Sequence, residues 1–334
     1  MIDTLNRLKA RAKEKGGTVV LPESADVRTL IGAADICGQG LAKVILVGDP
    51  VTVKERAHST GVNIERDGIQ IIDPNSYPRI DEFASWFYEK RRDKGLCQEM
   101  AASLVRNELY FGALLVKFGI ADGMVAGAAN TTGNVLKAAL QVVGVASGLK
   151  TVSSSFIMVV PDYFGETRLF SFADCAVVPN PTAEQLADIA ISTAQTRRAL
   201  LDDEPRVALL SFSTHGSAKH ELVDKVLEAR EILKSRQVDF LFDGELQLDA
   251  AIVPKIAQSK APSSPIEGHA NVLIFPDLQS GNIGYKLTQR LAKAEAIGPV
   301  IQGLAAPVCD LSRGCSAEDI TNTAVLVLLM CNNS

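Results

Sequence analysis

NVLIFPDLQSGNIGYK, residues 271–286, shows the pattern that sets the architecture of this chain, and DLSRGCSAED, residues 310–319, repeats it. Each segment indicates a buried strand, a turn rich in Gly, Asn or Ser, and then a helix. In the first segment we place the strand at 272–275, the turn at 281–284 and the start of helical periodicity at Tyr285. A turn of this kind directs backbone N–H groups at an anion. We therefore expect anion binding at these two turns.

The same alternation extends through the chain. Apolar runs predict strands at 18–21, 44–47, 69–72, 123–125, 155–160, 168–172, 207–211, 240–242, 272–275 and 299–301, and helical patterns cover 28–39, 181–200 and 221–235. This order favours an α/β fold with mostly parallel sheets that helices cover on both faces. Ligands of such folds bind at the carboxyl ends of the strands.

Composition restricts the class of protein. The 334 residues are 47% hydrophobic, which suits two ordinary cores. The longest apolar runs, near 156–160 and 325–330, are far shorter than the roughly 20 residues of a membrane span. The N-terminus, MIDTLNRLKARAKEKGG, predicts a surface helix that ends at Gly16-Gly17, and it lacks a signal-peptide core. We expect no membrane association.

Charge and cysteine usage narrow the partners further. A net charge of −5 argues against a nucleic-acid surface, so a polyanionic ligand must meet a local basic patch. Six cysteines and four histidines show neither metal-ligand spacing nor the density of a disulfide scaffold. We therefore expect a reducing cytoplasm and no metal site.

Several polar residues have two interpretations from the residues alone. Ser316 and Asp319 fit a helix-capping pattern, but a carboxylate in the first turn can also act as a general base. Arg313, beside Gly314, is suited to phosphate binding or to an ion pair with Asp310. A solvated surface or a plain turn is the alternative for the remaining candidates, which are Arg91, Thr131, Thr132, Lys286 and Arg290.

Eight strings distributed over the chain carry a family resemblance. They are LPESADVR (21–28), YEKRRDKG (88–95), ADGMVAGAANTTGNVLKAALQ (121–141), FADCAVVPNPTAEQLADIA (172–190), RVALLSFSTHGSAKH (206–220), DGELQLDAA (243–251), NVLIFPDLQSGNIGYK and DLSRGCSAED. With them the chain resembles the phosphate acetyl/butyryltransferase family, above all its acetyltransferases, including the short ethanolamine-utilisation type.

The resemblance implies the architecture and the reaction. It implies two α/β domains, at 1–149 plus 298–334 and at 150–297, related to the isocitrate/isopropylmalate dehydrogenase-like architecture, with the active site in the interdomain cleft. It implies reversible transfer of an acetyl group between coenzyme A and phosphate by direct attack in a ternary complex. Acetyl-CoA, coenzyme A, phosphate and acetyl phosphate would be substrates, no cofactor would be bound permanently, and the protein would be a cytoplasmic homodimer.

It also implies roles for individual residues. Asp319 would deprotonate the thiol of coenzyme A, Ser312 would stabilise the sulfur anion, and Arg313 with Arg91 would hold the acyl phosphate. The other substrate-binding residues would be Lys137, Thr131, Thr132, Asn282, Tyr285, Lys286 and Arg290. Lys137 stands where most members have arginine, so the bidentate fork is lost there. Asn130 stands where many have histidine, and we assign it no proton transfer.

Three other functions remain to be weighed. A phosphate butyryltransferase would differ mainly in the volume of its acyl pocket, and a catalytically silent relative would only bind coenzyme A or phosphate. A nicotinamide-dependent decarboxylating dehydrogenase is the third, although no metal-binding aspartate pattern of that class is present in the sequence. A covalent acyl-cysteine at Cys315 is also conceivable, because a thiol near a helix N-terminus and an arginine can have a lowered pKa.

Overall fold

The computed structural model describes residues 2–331 and divides them into two compact α/β units. The terminal unit consists of Ile2–Gly144 and the chain from Leu304 onward, and the inserted unit is Val145–Gly303. The chain therefore passes from one unit to the other twice, after Gly144 and after Gly303.

Residues 2–331 contain eleven strands, thirteen α-helices and one short 3₁₀ helix, Arg92–Lys94. The strands are β1 (Thr18–Leu21), β2 (Lys43–Val47), β3 (Ile69–Ile72), β4 (Gly123–Ala126), β5 (Ser153–Tyr163), β6 (Glu166–Ala173), β7 (Arg206–Leu210), β8 (Leu241–Leu246), β9 (Val272–Ile274), β10 (Glu295–Gln302) and β11 (Val308–Asp310). The helices are α1 (Ile2–Lys15), α2 (Val27–Gly38), α3 (Pro50–Ser59), α4 (Ile80–Arg91), α5 (Gln98–Leu104), α6 (Glu108–Lys117), α7 (Thr132–Val142), α8 (Ala183–Leu201), α9 (Glu221–Ser235), α10 (Leu248–Ile252), α11 (Pro254–Lys260), α12 (Leu278–Leu291) and α13 (Ala317–Met330). Each predicted strand overlaps an observed one, and the three predicted helices agree with α2, α8 and α9 to within two residues at each end.

The terminal unit is built on a parallel sheet with the strand order β11-β4-β1-β2-β3. Its strands are short apolar runs, and β4 is buried along its whole length, as expected of a strand with helices on both faces. An aromatic cluster around Phe83, Phe87 and Phe111 fills one side. On the other side α13 packs against α1, α2 and β4, so the C-terminal helix completes this unit.

The inserted unit has a six-stranded sheet with the order β10-β5-β6-β9-β7-β8. The strands β6, β9, β7 and β8 run parallel, whereas β5 pairs antiparallel with both β6 and β10. Only two residues separate β5 from β6, and a connection that short joins antiparallel strands. The sheet is therefore mostly parallel, with an antiparallel edge.

The predicted turn at 281–284 is wrong, because these residues lie inside α12. The helix begins earlier, where the Asp277 side chain accepts a hydrogen bond from the Ser280 N–H at 2.8 Å. The two glycines serve packing instead: a Cβ at Gly281 would lie 2.1 Å from the carbonyl oxygen of Asp174, and one at Gly284 would lie 2.9 Å from the Phe275 ring. The sequence pattern therefore placed the start of this helix several residues too late.

Candidate active site

Three loops of the terminal unit follow neighbouring strands of its sheet. They are residues 22–26 after β1, 127–131 after β4 and 311–316 after β11. Because the three strands are parallel, the loops meet at one edge of the sheet, the edge where ligands of such folds bind. This carboxyl edge carries most of the predicted catalytic residues.

Arg28, in the first turn of α2, ties the three loops together. Its Nε and Nη2 donate to the two carboxylate oxygens of Asp26 at 3.0 and 2.6 Å. Nη2 also donates to the Ala128 carbonyl at 2.7 Å, and Nη1 donates to the carbonyls of Arg313 and Cys315 at 2.8 Å each. One guanidinium thus fixes the backbone on both sides of Gly314. The hydrogen bond to the Asp26 carboxylate raises the pKa of Arg28, so the guanidinium stays protonated.

Glu23 fixes the loop after β4 from within. Its carboxylate is only 2% exposed, and it accepts hydrogen bonds from the backbone N–H groups of four successive residues, Gly127 to Asn130, at 2.8 to 3.1 Å. The Asn130 side chain donates to Glu23 at 3.0 Å and to Glu108 at 2.8 Å. Buried charges persist where they are fully hydrogen-bonded, as here. Asn130 is therefore a positioning residue of this loop.

Asp310, the last residue of β11, is a buried carboxyl group that the sequence suggested only as an ion-pair partner of Arg313. Its Oδ2 accepts a hydrogen bond from the Thr132 hydroxyl at 2.5 Å, while its Oδ1 is buried without a hydrogen-bond partner. Burial, with a smaller contribution from the Glu23 charge, raises the pKa of Asp310 to about 6. Gly127, at φ +113°, leaves room for this carboxyl, because a Cβ there would lie 2.5 Å from Oδ1.

The alternative ion pair between Arg313 and Asp310 is not formed, since Asp310 is turned to Thr132. Among residues 2–331, the Arg313 guanidinium makes no ion pair, and the side chain is exposed. The adjacent Ser312 is exposed as well, and its hydroxyl accepts from the Gly314 N–H at 3.3 Å. Both side chains are thus accessible to a ligand at the carboxyl edge.

Ser316 and Asp319 form the capping box that their spacing predicts. The Ser316 hydroxyl accepts from the Asp319 N–H at 3.1 Å, and the Asp319 Oδ2 accepts from the Ser316 N–H at 2.8 Å and from its hydroxyl at 2.9 Å. These bonds use one carboxylate oxygen, and the side chain remains exposed at the start of α13. The cap and a role as a base are therefore compatible in geometry.

The alternative of an activated Cys315 with a lowered pKa is not supported. Burial raises the pKa of this thiol, and although the nearby Arg28 charge lowers it, Asp319, Asp26 and Glu23 raise it further. Since the thiolate is the nucleophile, a raised pKa makes Cys315 a poor candidate for covalent catalysis.

The predicted phosphate-binding residues of the terminal unit lie on α4 and α7. Thr131 is the N-cap of α7, where its hydroxyl accepts from the Asn134 N–H at 3.3 Å, and Lys137 is exposed further along the same helix. Arg91, half-buried at the end of α4, is close enough to Tyr110 to lower its pKa against the larger effect of burial. Tyr110 lies on α6, and its hydroxyl donates to Gln141 on α7 at 3.0 Å. The contacts of Tyr110 therefore place Arg91 close to α7.

The remaining predicted residues lie on α12 of the inserted unit. The Asn282 amide donates to the Cys175 carbonyl at 3.1 Å, and the Tyr285 ring stacks on Phe156 with centroids 4.3 Å apart. Lys286 and Arg290 are exposed one turn apart, with the Lys286 Nζ 5.8 Å from the Tyr285 ring. Asn282 and Tyr285 thus anchor the helix, and the two cations face solvent.

Among residues 2–331, no group of three or more His, Cys, Asp or Glu side chains is arranged to hold a metal ion. None of the helices there is both long and apolar enough to cross a bilayer.

Known proteins share this chain's pattern over nearly its full length. The profile of the family described as phosphate acetyl/butaryl transferase matches residues 3–328. Phosphate acetyltransferase from Thermoanaerobacterium thermosaccharolyticum is 53% identical over 313 residues, covering 93% of this chain and 94% of the relative. The protein of that name from Clostridium acetobutylicum is 50% identical over 329 residues, covering 98% of each. The structure of EutD phosphotransacetylase from Staphylococcus aureus superimposes with a TM-score of 0.90 at 39% identity, covering 99% of both chains.

Proposed function

This chain belongs to the phosphate acetyl/butyryltransferase family, and on that premise we propose that it transfers an acetyl group reversibly between coenzyme A and inorganic phosphate. It is an acyltransferase of the phosphate acetyltransferase type. The observation that carries the proposal in chemical terms is the carboxyl edge, where loops held by Arg28 and Glu23 present Ser312, Arg313 and Asp319.

The reaction proceeds by direct attack in a ternary complex. Asp319 takes the proton of the coenzyme A thiol, and the sulfur forms a bond to the carbonyl carbon of acetyl phosphate as the bond from that carbon to the phosphate oxygen breaks. Ser312 donates to the sulfur anion, and Arg313 stabilises the negative charge that develops on the carbonyl oxygen. The proton leaves Asp319 for solvent, and phosphate departs as the other product. The reverse reaction uses the same groups in the opposite protonation states.

Positioning supplies much of the rate. Arg91, Lys137 and Thr131 bind the phosphoryl group, Thr132 binds inorganic phosphate, and Lys286 and Arg290 on α12 bind phosphates of coenzyme A. Two reactants held in register gain up to about 7–11 kcal/mol of barrier reduction. Two exposed cations on one face of α12 support the assignment to a polyanionic substrate, because a chain with a net charge of −5 has no general attraction for one.

The decisive experiment is phosphate-dependent release of free thiol from acetyl-CoA, compared with propionyl-CoA and butyryl-CoA. We expect acetyl-CoA to give the highest kcat/KM. A higher value for butyryl-CoA would reassign the chain to butyryl transfer, and no turnover with any of the three would leave a silent binding protein.

Direct attack is tested separately at Cys315. We expect Cys315→Ala to retain most of its activity, initial rates to show a ternary complex, and labelled acetyl phosphate alone to leave no acetyl group on the protein. The raised pKa of Cys315 is the reason. Ping-pong kinetics with an acetylated Cys315 peptide would establish the covalent route instead.

We also propose that the enzyme works as a homodimer in the cytoplasm, with no permanently bound cofactor. This part rests on the family resemblance and on the scattered cysteines, which suit a reducing compartment. Sedimentation equilibrium of the full chain measures the oligomeric state, and a monomer at micromolar concentration would contradict the proposal.

A further inference from the structure

The Thr132 hydroxyl has its only hydrogen committed. A threonine hydroxyl offers one O–H donor and two acceptor lone pairs, and an ionised carboxylate can only accept. The 2.5 Å distance from the Thr132 Oγ1 to the Asp310 Oδ2 lies at the short end of the range for a hydroxyl that donates to a carboxylate. With its hydrogen used in this bond, the exposed side of the Thr132 oxygen presents lone pairs alone.

The surroundings of the Asp310 carboxyl favour a hydrogen bond that Thr132 donates and Asp310 accepts. Its carboxyl is 5% exposed at the end of β11, Gly127 and the Leu311 backbone surround Oδ1, and that oxygen has no hydrogen-bond partner. Buried polar atoms without partners are rare in native proteins, and each calls for a reason. The Leu311 backbone N–H lies near this carboxyl and lowers its pKa, but it is donated to the Ala126 carbonyl at 2.8 Å. Among residues 2–331, the side-chain hydrogen bond to Asp310 is the one from Thr132.

Charges on the surrounding elements bear on this pair. Glu23, after β1, acts on Asp310 directly and raises its pKa. The other charged side chains on the helices packed against β11 are Lys137 on α7 and Glu318 and Asp319 on α13. A pKa of about 6 leaves Asp310 mostly ionised at neutral pH, which is the form that accepts from Thr132.

We infer that Asp310 is a positioning residue that turns the Thr132 hydroxyl into a hydrogen-bond acceptor for the P–OH group of hydrogenphosphate. The inference rests on the proposed function, in which phosphate is a substrate. Bound in this way, hydrogenphosphate directs its proton at Thr132 and leaves its unprotonated oxygens free to attack the acyl carbonyl. Acetyl phosphate and sulfate, which carry no such proton at neutral pH, find only a repelling lone pair. The pair therefore favours phosphate over otherwise similar dianions.

Binding of inorganic phosphate and of sulfate, measured by calorimetry at neutral pH, tests the inference without turnover. We expect the wild-type protein to bind phosphate on the order of 10-fold more tightly than sulfate, which is the effect of about one hydrogen bond to a charged group. Asp310→Asn supplies an amide donor to the Thr132 oxygen and frees the hydroxyl hydrogen, so this ratio should fall to about one or invert. Thr132→Val should remove the preference, and Thr132→Ser should retain it.

Steady-state kinetics give a second readout. Asp310→Asn should raise the KM for phosphate more than the KM for acetyl phosphate, with a smaller change in kcat. Equal binding of phosphate and sulfate by the wild type, or a parallel loss of both in every variant, would overturn the inference. If Asp310→Asn does not fold, the comparison of Thr132→Val with Thr132→Ser, at an exposed position, decides alone. The proposed function fails on a different result, namely the absence of phosphate-dependent thiol release from acetyl-CoA by the wild type.

Discussion

Asp319 caps α13 and is also proposed as the general base, and a single substitution distinguishes these two roles. We expect Asp319→Asn to lower kcat by roughly 10²–10⁴, the range for a lost general base, with little change in either KM. The adjacent Glu318, which is also exposed, provides the matched control, since Glu318→Gln should leave kcat unaltered. If Asp319→Asn changes only the free energy of unfolding, by about 0.5–2 kcal/mol, the residue is a cap and no more.

Asp310 should make folding stability depend on pH. Its pKa is raised from 3.8 to about 6 in the fold, so the folded state binds the proton more tightly than the unfolded state. The resulting stabilisation is fully present below pH ~4 and is lost as the pH rises through ~6, and it amounts to about 3 kcal/mol. Asp310→Asn lacks this titration. Denaturant unfolding at pH 4 and pH 7 should therefore show the variant gaining stability relative to wild type as the pH rises, and a constant difference would contradict the raised pKa.

Local residue roles were predictable and long-range ones were not. The capping box of Ser316 and Asp319 follows from a spacing of three residues, so the sequence was sufficient. Arg28 and Glu23 were missed as organisers of the site because their partners lie about 100 to 290 residues away in the chain. The hydrophobic periodicity of a sequence predicts local structure and gives no information on such long-range contacts. The one signal for Asp310 was an acidic residue that ends an apolar strand.

At the scale of elements, α12 shows how a glycine-rich pattern can mislead. We expect Gly281→Ala to destabilise the protein by about 1–3 kcal/mol, because the added methyl group would meet the backbone carbonyl of Asp174 at 2.1 Å. Gly133→Ala in α7 is the control, since the nearest atom to its new Cβ is 3.9 Å away, and it should stabilise by up to about 1 kcal/mol. Thermal and denaturant unfolding measure both. Equal effects at the two sites would show that Gly281 is not confined.

Strand positions were predictable from apolar runs, whereas strand directions were not. Burial selects apolar side chains in a strand of either direction, so the sequence gives no sign that β5 runs antiparallel to β6 and β10. The segment 310–319 indicated a strand before its turn, but the bounds of β11 were not predicted, since two of its three residues precede that segment. Its place beside β4 depends on pairing with a strand more than 170 residues earlier.

At the scale of the whole molecule, the two units should differ in their capacity to fold alone. The fragment 145–303 contains all six strands of its sheet, whereas the fragment 2–144 lacks β11 and the covering helix α13. We expect 145–303 to unfold cooperatively on heating and 2–144 to bind hydrophobic dyes and unfold without a clear transition. Circular dichroism of the two purified fragments measures this. Cooperative unfolding of 2–144 would show that β11 and α13 are dispensable.

The pairing of β11 with β4 also has a consequence for the chain while it is being synthesised on the ribosome. About 180 residues separate Ala126 from Asp310, so synthesis at ~5–20 residues per second leaves β4 as an unprotected sheet edge for some 10–40 s. Exposed edges recruit other strands, and the nascent chain therefore carries its greatest aggregation hazard during this interval. The inserted unit is completed first, and the terminal unit is completed only when residues 304–331 emerge. Slowing translation between residues 127 and 310, while β4 is an exposed edge, should lower the soluble yield more than slowing it elsewhere.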